Sequence, residues 1–298
     1  MSLVYEPSRW HGRELDQFLD GYPRLLELLR GDDGRAFMDY MRALSEGRRA
    51  LPPKHVIAQA HELGLVGRWG IRVTSLGQRV GDSLREYLYW EERGRDLPRA
   101  EAVPELRRDA HRGARVLEVG CGSGINLLSL HGFAAELVGL DPDPVYLALG
   151  RVLAELAELP APETVCAMAE AIPLPDESFD VALVIGALQY TEILPTLEEV
   201  ARVLKPGGRG VIILGHLGGY LRHSFVPSAR RSLRAFARET RELVGMLTYP
   251  RIGRRLTRPG AAVYPTRRRK ADYLRRAGLA LTAVRDLDDE TAYVVRRP

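Results

Sequence analysis

An α/β fold built on a mostly parallel sheet is predicted for this chain, on three observations. Apolar runs alternate with helical patterns over the last two thirds of the sequence; one run breaks into alternating glycines that open a helix; and the next run ends in a carboxylate followed by proline. The first strand candidate, 115–119, leads into Gly120-Cys121-Gly122-Ser123-Gly124 and a helix-prone segment from Ile125 to Leu130. Glycines there let the backbone take positive φ and let a nucleotide-like ligand approach it. A tight strand-to-helix turn can need glycine for packing alone, so the loop does not decide the matter. The second candidate, 136–140, ends at Asp141, 17 residues past Gly124, where an acidic residue can accept hydrogen bonds from ribose hydroxyls. Pro142 turns the chain away after it. Further strands are expected at 163–167, 180–185 and 209–214, with helices between them. Leu279 to Arg285 and Thr291 to Arg296, separated by a polar turn, read as a final hairpin that adds an antiparallel strand.

Two more motifs sharpen this reading. Asp176-Glu177-Ser178-Phe179-Asp180 opens the fourth strand, and Leu204-Lys205-Pro206-Gly207-Gly208 opens the fifth. With Glu118-Val119-Gly120-Cys121-Gly122-Ser123-Gly124 and Asp141, they stand in the order and spacing of the class I S-adenosylmethionine-dependent methyltransferases, which residues 105–298 resemble. The resemblance implies a Rossmann-like sheet of seven strands and S-adenosylmethionine as cofactor. It places Glu118, Gly120, Gly122 and Gly124 along the methionine part and ribose, Asp141 on the ribose hydroxyls, and Pro142 against the adenine. Ile185 and Gly186 belong near the methionine ammonium. The family often has Asp-Ala-Glu before the fourth strand, whereas this chain has Met168-Ala169-Glu170, so Glu170 or a backbone carbonyl must take the adenine amino group.

The acceptor side is less legible. Relatives often carry a histidine pair after the fourth strand, where this chain has Leu188-Gln189-Tyr190. Gln189 and Tyr190 are candidates to orient an acceptor, although an unperturbed tyrosine pKa near 10 makes Tyr190 a poor base. His216, at the end of the fifth strand, has an apt pKa of about 6.5 for a general base, and equally suits a local cap. Tyr220 and His223 follow it on a glycine-containing segment. No Cys/His/Asp cluster has metal-ligand spacing, so a metal-dependent route is not expected.

The first hundred residues read as a separate unit, with a boundary near 104. Helices are expected over 13–30, 35–46 and from Pro52-Pro53 to about Leu63, then a short hairpin over 65–74 and a helix capped by Ser75. This order resembles a winged-helix module. Use in homodimerisation or as a substrate lid is favoured over DNA binding, because the candidate recognition helix has few cations and Glu62 opposes phosphate contact. Two cysteines, Cys121 and Cys166, exclude a disulfide framework and are expected as small buried side chains. With no 18-residue apolar run and no secretory core in residues 1–30, a cytoplasmic enzyme is expected.

Charge is uneven. From Leu217 to Arg276 there are 16 Lys or Arg against 3 acidic residues, a balance of +13 in a chain whose net charge is only +4. This basic insertion, about 217–265, is expected to carry a helix with Phe225, Ala229, Leu233, Phe236, Thr240, Leu243 and Leu247 on its apolar face. A surface helix, a pocket for an anionic substrate, a membrane surface and an RNA substrate all suit such a segment. The function expected is methyl transfer to a small or medium-sized, anionic or hydrophobic metabolite. A nucleic-acid methyltransferase and a non-catalytic S-adenosylmethionine-binding regulator stay open.

Overall fold

Seven strands, β1 (Arg115–Val119), β2 (Glu136–Asp141), β3 (Glu163–Cys166), β4 (Phe179–Ile185), β5 (Leu204–Gly215), β6 (Ala280–Asp286) and β7 (Glu290–Arg296), form one sheet in the order β3-β2-β1-β4-β5-β7-β6. The structure is a computed structural model that describes residues 8–226, 233–252 and 262–298. β1 pairs in parallel with β2 and β4, and β4 with β5, whereas β7 runs antiparallel to both β5 and β6. The strand order therefore reverses between β1 and β4, and ligands of such sheets bind beyond the carboxyl ends at that point. Val116, Leu117 and Val119 are fully buried, which is why β1 carries apolar residues on both faces without alternation.

The motif that opens β4 has a structural use. Asp180 accepts from the Arg115 amide at 2.9 Å and from Lys205 Nζ at 2.7 Å, tying the starts of β1, β4 and β5 together. Those two partners hold its carboxyl below the usual range against the opposing effect of partial burial.

The described residues divide into two compact units. The first contains the chain up to Pro98 together with Gly122–His131 and Asp141–Cys166. Its helices are α1 (Ser8–Arg30), α2 (Gly34–Ser45), α3 (Lys54–Glu62), α4 (Ser75–Glu92), α5 (Ile125–Ser129) and α6 (Pro144–Leu156). One apolar cluster joins Phe18, Leu25 and Leu29 of α1 to Val145, Leu149, Val152 and Leu153 of α6. A fully buried side chain of this size contributes about 1.5–3 kcal/mol.

Three expectations are corrected here. Residues 65–74 form a single antiparallel bridge, Val66 to Val73, and not a two-stranded hairpin. Trp69 and Ile71 at its tip are 76% and 75% exposed, so the segment buries too little apolar surface to extend as a ribbon. Thr74, not Ser75, caps α4: its hydroxyl accepts from the Gly77 amide at 3.0 Å. Cys121 is buried, but Cys166 is exposed, because β3 is the edge strand of the sheet.

The second unit holds Arg99–Cys121, Gly132–Leu140 and the chain from Ala167 onward. Its helices are α7 (Ile193–Val203), α8 (Leu217–Tyr220), α9 (Leu233–Ile252) and α10 (Arg267–Arg276). The expected apolar face of the basic helix is also corrected. Phe225 lies in the preceding π turn, and Ala229 falls outside the described residues, as do Arg230 and Arg231. In α9 the buried face is Glu239, Glu242, Met246 and Tyr249, while Leu233, Phe236 and Leu247 are exposed. Hydrogen bonding chose that face: Glu239 accepts from the Tyr220 hydroxyl at 2.7 Å, and the Tyr249 hydroxyl donates to Glu192 at 3.0 Å. Among the described residues no helix is long and apolar enough to cross a membrane.

Candidate functional site

β2 delivers Asp141 to its own carboxyl end, where both carboxylate oxygens meet backbone amides. Oδ2 accepts from the Gly122 amide at 3.0 Å and Oδ1 from the Asp143 amide at 2.9 Å. Burial pushes this carboxyl up, and the two amides pull it back. A carboxylate has about four lone-pair directions, so each oxygen keeps one for an incoming hydroxyl. The glycine loop and the acidic strand end, 19 residues apart in sequence, are thus one hydrogen-bonded feature.

Asp143 caps α6, accepting from the Val145 amide at 3.0 Å, and receives Arg79 Nε at 2.5 Å. Arg79 comes from α4, also reaches Glu14 at 3.1 Å, and is largely buried. Nothing in the sequence near the glycine loop points to it, because its link to Asp143 is made only by folding. A guanidinium beside the Asp141 loop holds that loop in shape. Arg79→Ala is expected to cost about 3 kcal/mol, the range for breaking a buried pair, with partial recovery in Arg79→Lys. Urea unfolding of the three proteins measures it.

Gly122 has φ +53°, and a Cβ built on it meets nothing within 4 Å. The loop therefore leaves open space over its own backbone. Gly124, at φ 72°, precedes α5. Cys166 lies beside the same loop, its thiol 3.7 Å from the Pro142 carbonyl. Partial burial and the Asp141 and Asp143 charges push that thiol up, which disfavours its thiolate form.

In the second unit, Glu118 is buried in β1, in register with Gly139 of β2 and Leu183 of β4. The amides of Gly120 and Cys121 both donate to the Leu140 carbonyl, at 2.7 and 3.0 Å, which folds the chain back at the end of β1. Beyond Ile185, Gly186 has φ +68° with open space where a Cβ would lie, and its amide donates to Ile213 of β5 at 2.8 Å. Ala169 is buried; Glu170 Oε1 accepts from the Glu192 amide at 2.7 Å, while its Oε2 is buried with no hydrogen-bond donor among the described residues. An acceptor in that state favours a ligand that brings an N–H to it.

The three candidate acceptor-side residues are placed differently from one another. Gln189 is buried and clips the loop, its side-chain amide donating to the Gly186 carbonyl at 2.7 Å and its backbone carbonyl accepting from Val263 at 2.8 Å. Tyr190, one residue on, is 52% exposed. His216 caps α8: Nδ1 accepts from the Gly219 amide at 3.0 Å and Nε2 lies 3.3 Å from the Asp288 carbonyl. That pairing puts the proton on Nε2 and commits the basic nitrogen to an amide.

His216 also lines a cavity of about 710 Å³ at the carboxyl end of β5, with Tyr264, Arg269, Lys270 and Tyr293 among its walls. Lys270 is 5% exposed; its ammonium donates to the Gly215 carbonyl at 3.2 Å and lies over the Tyr293 ring. Burial, with Arg267 nearby, pulls it down to about 8. Burial pushes the Tyr264 phenol up to about 12. Lys270 and Tyr264 carried no motif in the sequence; α10, packed on α7 and β6, brings Lys270 to Gly215 of β5 and the Tyr293 ring of β7, and Tyr264 lies in the segment just before that helix.

S-adenosylmethionine fits these residues on three counts. In the first unit Asp141 has spare acceptor directions and Gly122 leaves room against the backbone; in the second, taken by itself, Gly186 leaves such room and Glu170 holds a buried acceptor with no donor among the described residues. Comparison with known proteins agrees. Residues 117–212 match a family described as a methyltransferase domain. An uncharacterized methyltransferase of Mycobacterium tuberculosis is 39% identical over 118 residues, 40% of this chain and 46% of that protein. A ubiquinone biosynthesis O-methyltransferase of Rhodopseudomonas palustris is 30% identical over 101 residues, 34% of this chain and 39% of the relative. The chain thus spans about half the length of the curated relatives it matches. A putative methyltransferase of Haloferax volcanii, solved with its Trm112 activator, superposes with a TM-score of 0.50 at 18% identity, covering 72% of this chain and 94% of that one. That likeness concerns the fold alone.

Proposed function

We propose, from the match of residues 117–212 to a family described as a methyltransferase domain, that this chain transfers a methyl group from S-adenosylmethionine to a small or medium-sized anionic metabolite. The observation that carries the reading is the Asp141 carboxylate held by the Gly122 and Asp143 amides at a sheet end. When bound, S-adenosylmethionine supplies an electrophilic methyl on a cationic sulfur that leaves as a neutral thioether. In this reading Asp141 takes the ribose hydroxyls, Pro142, Ala169 and Glu170 border the adenine, and Glu118, Gly120, Gly122, Gly124, Ile185 and Gly186 border the ribose and methionine.

In-line displacement needs alignment more than acid catalysis, so the acceptor's position is the chain's main task. The cavity at the end of β5 supports an acceptor there, since Ile185 at the end of β4 pairs with Ile213 just before Gly215 and His216. Arg269 and Lys270 suit an anionic group, and Tyr264 and Tyr293 suit a flat or apolar body. His216 and Tyr190 orient the acceptor in this reading, and Gln189 holds the loop between them. Proton removal by His216 requires Nδ1 to release Gly219.

The test uses donor carrying a labelled methyl group and a panel of small carboxylates and phosphates. Arg269→Ala is expected to raise the acceptor KM about tenfold, the value of one charge-assisted hydrogen bond, with donor affinity unchanged. Equal turnover of neutral and anionic acceptors by both proteins contradicts the anionic assignment.

A further inference from the structure

We propose that the outward face of α9 docks on an anionic lipid bilayer surface. The inference concerns a surface and stands whether or not the methyl-transfer reading holds.

Three large apolar side chains lie on that face: Leu233 is 87% exposed, Phe236 45% and Val244 52%, while Leu247, 57% exposed, borders the cavity beside His216. At 100° per residue they fall within one stripe, opposite the buried Glu239, Glu242, Met246 and Tyr249. Arg234, Arg238 and Arg241 project along one flank of the stripe, and Arg234 and Arg241 are exposed. Both carboxylates of the described helix turn inward, where Glu239 is held by the Tyr220 hydroxyl and by Arg238 at 2.8 Å. The outer face therefore offers apolar groups, arginine and Thr240, whose hydroxyl donates to the Phe236 carbonyl at 2.9 Å, and neither of the two helix carboxylates. Phe225, in the turn before the helix, stacks edge-on to Phe236 at 6.0 Å, and Val226 beside it is 42% exposed.

Monomer surfaces seldom keep so much apolar area in one stripe without an occupant. Charge complementarity chooses the occupant. A second copy of the chain laid on the stripe would bring arginines against arginines, in a segment whose balance is +13. An anionic bilayer satisfies both halves at once, taking Leu and Phe below the headgroups while guanidinium groups pair with phosphates at the surface.

Flotation of the full-length protein with phosphatidylcholine vesicles, with and without phosphatidylglycerol, tests this. The wild type is expected to float with the anionic vesicles, to stay behind with the neutral ones, and to detach as salt rises. Leu233→Ser with Phe236→Ser, and separately Arg234→Glu with Arg241→Glu, should each weaken anionic-vesicle binding about tenfold or more. All four positions are exposed, so thermal unfolding of these variants should match the wild type. A wild type that ignores anionic vesicles overturns the proposal, as does binding that survives both double substitutions. A dimer of the full chain that dissociates in the Phe236 variant, with no vesicle binding, overturns it in favour of self-association.

Discussion

Gly120→Ala is expected to destabilise the chain by about 3 kcal/mol or more, through left-handed backbone strain added to overpacking. Gly120 has φ +72°, and a Cβ there would sit 2.3 Å from the Cβ of Ala187. Neither side can yield easily. Gly120 is pinned by its amide to Leu140, and Ala187 directly follows Gly186, whose amide is bonded to Ile213. Gly122→Ala is the contrasting variant. Its φ of +53° costs about 1 kcal/mol of strain, but the added methyl enters open space and meets no protein atom. Thermal unfolding should fall for Gly120→Ala and barely move for Gly122→Ala, whereas donor affinity should fall in both. Equal melting of the two variants contradicts the packing role given to Gly120.

Acid is expected to destabilise the chain through His111. This residue is fully buried, and burial, helped by the positive charge of Arg209, pushes its imidazole down to about 4 against the pull of Asp109. The unfolded chain binds the proton at about 6.5, so between 6.5 and about 4 it holds more proton than the folded chain. Stability contributed by the neutral ring is complete above pH 6.5, shrinks as pH falls through that window, and is gone below about 4. The total is about 3 kcal/mol at 1.36 kcal/mol per unit. His111→Leu should flatten that slope, read as the urea midpoint across the window. An unchanged slope in the variant would place the acid sensitivity in the carboxylates instead.

Much of the fold was legible because buried parallel strands write themselves as apolar runs, and β1, β2, β4 and β5 all lie inside the sheet. Asp141 was legible for a local reason: it is a strand end followed by proline. What resisted reading depends on contacts distant in sequence. Arg79 reaches Asp143 from 64 residues earlier, and Lys270 reaches Gly215 from 55 residues later. Helical spacing found an apolar stripe in α9 but did not show which face of the helix is buried. A pattern of leucine and phenylalanine does not record that Tyr220 and Tyr249 hydrogen-bond with glutamates on the inner face and at the start of α7. The stretch 65–74 failed for the opposite reason, since Leu65 and Val66 are buried but the tip at Trp69 and Ile71 is exposed, which yields one bridge and no sheet.

Titration calorimetry with S-adenosylhomocysteine, on the wild type and on Asp141→Ala, tests the donor site most directly. Asp141 ends its strand and, among the described residues, accepts from the amides of Gly122 and Asp143, so the variant should fold. The account predicts micromolar binding by the wild type and a loss of about 100-fold or more in the variant, the cost of ribose hydrogen bonds to a charged acceptor. Undiminished binding in Asp141→Ala, or no binding by a folded wild type, would contradict it.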